Sequence, residues 1–86
     1  MELNSKYIIR QIAGETVILP SENDGFNGIM VVSEVGSRIL ELLQAGCATE
    51  EALCEALLEE YDVPAGVLKE DIRAFLKDLR ESGILG

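Results

Sequence analysis

The apolar pattern of this chain changes character at Ser33. Before it, apolar residues fall in short β-branched runs broken by turn formers. After it, they recur at three- and four-residue spacing as far as the last turn signal. Tyr7 to Ile12 and Glu15 to Leu19 are two such runs, joined by Ala13-Gly14, a pair with the length and composition of a tight hairpin turn. Both faces of the first run are partly apolar, so alternation alone leaves open which one is buried. The stretch Pro20 to Gly28 is rich in turn formers and reads as a surface loop whose one large apolar group, Phe26, anchors it to the domain. Ile29 to Val32 is a continuous apolar run, too short for a helix, and gives a third strand.

Ser33 then serves as N-cap for a helix over 34–44, with Val35, Ile39, Leu42 and Leu43 as its inner face and Ala45-Gly46 as its stop. Thr49 caps a second helix over 50–61, with Leu53, Leu57, Leu58 and Tyr61 inward. Pro64 opens a third, over 64–82, and Gly83 is placed as its left-handed end with Ile84 returning toward Leu79. Three antiparallel strands followed by three helices form an α+β arrangement that resembles a winged helix-turn-helix, as a single domain over 1–86. Fold alone does not assign function.

Composition narrows the function classes. Sixteen acidic residues against seven basic ones give a net charge of −9. A chain so acidic repels nucleic acid and anionic membranes, whose affinity for proteins rests on neutralising phosphate. The stretch from Glu41 to Asp62 has seven acidic residues and no lysine or arginine, so its helix pair is unsuited to reading DNA. The chain has no histidine and only two cysteines, Cys47 and Cys54. That removes histidine-dependent nucleophile systems and four-ligand zinc sites. Cys54 reads as a core residue and Cys47 as a loop thiol. The expectation is a non-catalytic protein with neither cofactor nor metal. Without a signal-like or membrane-length apolar run, it is also expected to be cytoplasmic.

The positive charge that remains is concentrated. Lys69, Arg73, Lys77 and Arg80 are four of the seven basic residues, and at 100° per residue they share a sector of about 80° on the third helix. The apolar set Leu68, Ile72, Phe75, Leu76 and Leu79 lies beside them, with Leu76 at the seam. Lys69-Arg73 and Arg73-Lys77 are like-charged i,i+4 neighbours, each unfavourable by about 0.2–0.5 kcal/mol. A helix arranged only for stability would interleave signs. The plainer reading is a solvated face with Glu70 and Glu81 at pairing distance. The binding reading is a seam for an acidic, apolar-spaced ligand. The third strand adds a second element, because an apolar strand at a sheet edge is a template for an added strand. That edge could equally be central, be covered by the last helix, or pair with a second copy to give a homodimer.

The spread of Ile9-Arg10, Ala13-Gly14-Glu15, Gly28 to Val32, Gly36, Leu42-Leu43, Thr49-Glu50-Glu51, Tyr61-Asp62-Val63, Phe75-Leu76 and Gly83-Ile84-Leu85 resembles the PqqD-like family over nearly the whole chain. Two positions depart from it. Val32-Ser33 stands where many relatives have Leu-Asn, and Val63-Pro64-Ala65-Gly66 lacks an acid directly before the proline. The resemblance implies a chaperone that recognises the leader of a ribosomally made, post-translationally modified precursor peptide. It would present that leader to a modifying enzyme, often of the radical S-adenosylmethionine type, as in pyrroloquinoline quinone assembly. By the same resemblance the leader adds as a strand beside Ile29, Met30, Val31 and Val32 and lies against Lys69, Ile72, Arg73, Leu76, Lys77 and Arg80. The alternative from a different class is a winged-helix regulator or protein-protein assembly adaptor.

Overall fold

The computed structural model describes residues 2–20, 30–47 and 49–86. The expected loop over 21–28, with Phe26, and Ile29 lie outside the described residues. The order is β1 (Tyr7–Ile12), β2 (Glu15–Pro20), β3 (Met30–Val32), α1 (Glu34–Gln44), α2 (Glu50–Glu60) and α3 (Ala65–Glu81). The β1–β2 hairpin pairs Ile12 with Glu15 across a two-residue turn, with Ala13 at φ 53° and Gly14 at φ 82°. Positive φ at both positions matches the twist that such hairpins require. The ladder runs one residue further than the apolar run suggests, to Tyr7 opposite Pro20, where a proline at a strand end removes no central ladder bond.

The three described strands lie in the order β1-β2-β3 and all pairs are antiparallel, so β3 is at an edge and not in the centre. The ambiguity over β1 is settled by what packs beneath it. Tyr7 and Ile9 join Ile18, Met30 and Val32 against the helices, and the Ile8, Arg10, Ile12 face turns outward. On that outer face Val17 is nonetheless buried. It lies on the middle strand between Arg10 and Val31 in register, and their side chains flank it on both sides.

Each helix begins and ends on the chemistry its sequence carries. The Ser33 side chain accepts from the Gly36 N–H at 3.1 Å, and the Thr49 side chain accepts from the Ala52 N–H at 3.1 Å. Pro64 is the N-cap of α3 and not its first helical residue, and it offers no side-chain cap. At the other end, the Ile84 N–H donates to the Leu79 carbonyl at 2.9 Å and the Gly83 N–H to that of Arg80 at 3.1 Å. With Gly83 at φ 77°, this is the paired-bond C-cap that only a residue free to adopt the left-handed region closes without strain.

The core takes one stripe from each helix: Ile39, Leu40 and Leu43 from α1, Leu53, Cys54 and Leu57 from α2, and Leu68, Ile72, Leu76 and Leu79 from α3. Two details differ from the expected stripes. Leu40, not Leu42, is fully buried on α1, and Leu58 on α2 is exposed. Both cysteines are free thiols, with Cys54 buried and Cys47 half-buried. One further contact is not foreshadowed by any residue pattern. The chain before β1 is strapped to the chain after α3 by a Leu3–Leu85 bridge, by Asn4 N–H donating to the Ile84 carbonyl at 2.7 Å and by Asn4 Nδ2 donating to the Gly83 carbonyl at 3.0 Å.

Candidate functional site

Strand β3 and the start of α1 are one continuous piece of chain, and α3 crosses beside their junction. The junction is close because residue 36 is glycine. A Cβ there would lie 2.5 Å from Val32 Cγ1 and 3.2 Å from two ring atoms of Phe75, so the strand end and the α3 ring both press on the bare backbone. Asp71 and Phe75 of α3 line a cavity of about 200 Å³ with Ser33, Val35, Gly36 and Ile39. Met30 is half-buried at the head of β3, and Val31 points away from the core, 61 % exposed.

This geometry sorts the expected site residues into three groups. Met30, Val31 and Val32 lie on an edge strand, as a docking strand requires, and Ile29 lies outside the described residues. Ile72 and Leu76 are core: they are 1 % and 0 % exposed, so neither offers a surface, and Leu76 is not at a seam. The basic stripe sits on the other flank of α3. Lys69 and Arg73 line a small recess of about 40 Å³ with Glu50 and Glu51 at the start of α2, and Arg73 Nε lies 3.4 Å from Glu50 Oε2. Lys77 reaches Glu81 on its own helix at 3.9 Å, and Arg80 is in the last turn. None of Lys69, Arg73, Lys77 and Arg80 lines the cavity at the β3–α1 junction. Lys69 and Arg73 face the acidic first turn of α2, where Glu50 and Glu51 complement the helix dipole and in turn attract the two cations.

Asp71 and Phe75 of α3 face the β3–α1 junction, and Val67 and Asp78 share their side of the helix by four- and three-residue spacing. Val67 is 52 % exposed and Phe75 is half-buried. Among the described residues, Asp71 and Asp78 take part in none of the ion pairs. Sequence reasoning missed Asp71 and Phe75 as cavity-lining residues and Gly36 as the point of close approach. The helical period separates the two flanks of α3, but it carries no information on which one meets β3.

The charged group most shaped by its surroundings is elsewhere. Arg38 Nε donates to both carboxylate oxygens of Glu60 at 2.9 Å and Nη1 to Glu41 at 2.9 Å, and these bonds, Glu60 first, raise its pKa further above the ordinary range. That cluster links α1 to the end of α2. Among the described residues, no group of three or more His, Cys, Asp or Glu is placed to hold a metal ion, and no helix is long and apolar enough to cross a membrane.

Residues 15–85 match the sequence model of a family described as coenzyme PQQ synthesis protein D (PqqD). The chain belongs to the PqqD family. Two solved structures share its fold. One is TbiB1 in complex with the TbiA(beta) leader peptide, 28 % identical, with a TM-score of 0.81 over 99 % of this chain and 94 % of that one. The other is a lasso peptide synthetase B1 complexed with the leader peptide, 20 % identical, with a TM-score of 0.79 over 96 % of this chain and 93 % of that one. No curated protein sequence matches the chain. The PqqD match begins at the first residue of β2 and ends beyond α3, so it takes in β3, α1 and the groove between β3 and α3.

Proposed function

We propose that this PqqD-family chain is a non-catalytic recognition module for the leader of a precursor peptide. It holds the leader as an added strand on the outer edge of β3 and against the Asp71–Phe75 flank of α3, and presents it to a modifying enzyme. The observation that carries this reading is the combination of an edge strand with an apolar cavity beside it. A short strand with an outward Val31 offers backbone hydrogen bonds to an incoming chain, and the cavity against Phe75 takes an alternate side chain. The two leader-bound structures of like fold support the same assignment.

In this reading Met30, Val31 and Val32 give register and Phe75 gives apolar contact, and the bond-making chemistry belongs to the partner. A radical S-adenosylmethionine enzyme and a cytoplasmic setting fit the family, and the product is pyrroloquinoline quinone or another modified peptide. The test is an amide chemical-shift titration of labelled protein with a synthetic leader from a candidate precursor, with a random DNA duplex as control. Shifts at Met30 to Val32 and along Asp71 to Asp78 with peptide are expected. Shifts with DNA alone, fading as salt rises, would replace the reading with a nucleic-acid-binding regulator.

A further inference from the structure

The expected acidic leader rested on a basic stripe beside the groove, and the stripe is not there. Asp71 and Phe75 line the cavity, and helical spacing extends their side of α3 into an alternating apolar and acidic series, Val67, Asp71, Phe75, Asp78. Asp71 lines the cavity itself, and neither it nor Asp78 belongs to an ion pair among the described residues. Three of the four cations in the α3 stripe are turned elsewhere. Arg73 and Lys69 are turned toward Glu50 and Glu51, and Lys77 toward Glu81. The whole chain, at −9, adds an attractive field for a cation arriving from solution.

Spacing turns this into a pattern. Four helical residues advance about 6 Å, and two residues of an extended strand advance about 6.6 Å. A strand lying along this flank therefore brings every second side chain to successive members of the series. We propose that the groove selects a leader segment of the form apolar-x-basic-x-apolar. The two apolar side chains would rest against Val67 and in the cavity at Phe75, and the lysine or arginine between them would pair with Asp71. Because the pattern is symmetrical, it holds for either direction of the added strand. The proposal rests on the strand-addition reading and adds the chemistry of what is added.

The probe is a random twelve-residue peptide library displayed on its encoding RNA and selected against the full chain. Enriched peptides are then titrated into the labelled wild type and into Asp71→Lys and Arg73→Glu, both changes at exposed positions. The expected result is enrichment of a basic residue two positions from apolar ones. Changing that residue to Glu should weaken binding about tenfold, Asp71→Lys should reverse the preference, and Arg73→Glu should leave it in place. Enriched peptides that are acidic, or indifferent to the charge swap, while still shifting the β3 amides would overturn the charge pattern and leave strand addition standing. Enriched peptides that never shift the β3 amides would overturn strand addition, and this proposal with it.

Discussion

Ala13 is the one described non-glycine residue in the left-handed region, at φ 53°. An alanine held there carries about 1 kcal/mol of backbone strain, which asparagine tolerates through its local hydrogen bonding. Ala13→Asn should therefore raise stability by up to about 1 kcal/mol in a urea melt without moving any amide beyond the hairpin. Gly36 is the opposite case, where space decides. A methyl group there meets Val32 and Phe75 at once, so Gly36→Ala should cost about 1–3 kcal/mol by overpacking and also displace the β3 amides. Leu76, fully buried, should lose about 2–5 kcal/mol on change to Ala, measured by the same melt, because it fills core and lines no groove.

At the scale of elements, α3 has a core stripe and two flanks with different neighbours. Exchanging charge on the α2 side should leave peptide binding nearly untouched. The double change Arg73→Glu with Lys77→Glu is expected to alter leader affinity by less than about threefold, and to lower the thermal midpoint only slightly by losing two exposed ion pairs. A large loss of affinity by calorimetry would return the basic stripe to the binding site. Much of each element was legible in its residues. Ser33 and Thr49 are side-chain caps as their types foretell, and Gly83 closes α3 as its position foretells. Pairing between elements was not legible, since Arg73 sits at the same distance along the sequence from β3 whichever way the helix is rolled.

Across the whole molecule, charge and connectivity act together. The strap between Glu2–Asn4 and Gly83–Gly86 joins the two ends of the described chain and encloses all the elements between them. Asn4→Ala removes the Nδ2 bond to Gly83 and the Oδ1 acceptor of the Lys6 N–H, and should cost about 1–2 kcal/mol of global stability, read from a denaturant midpoint, with no effect on leader affinity. Net charge works at longer range. Binding of a basic leader to a chain of charge −9 should weaken as salt is raised, mostly through a slower on-rate, when followed by stopped-flow fluorescence.

The division of labour between sequence and structure follows from the range of the forces involved. Element order, the hairpin, the caps and the core stripe of α3 rest on neighbours within a few residues, and the sequence by itself determined them. The charge balance that disfavours nucleic acid is a sum over the chain and needs no coordinates. Which flank of α3 meets β3 was decided only by tertiary packing, because Leu68, Ile72, Leu76 and Leu79 fix which stripe is buried but leave both flanks equally soluble. The bare backbone of Gly36 lets Phe75 approach β3, and Glu50 with Glu51 draws the basic stripe the other way. Those two contacts join residues 23 or more positions apart, and they place an aspartate where the helical period alone allowed a lysine.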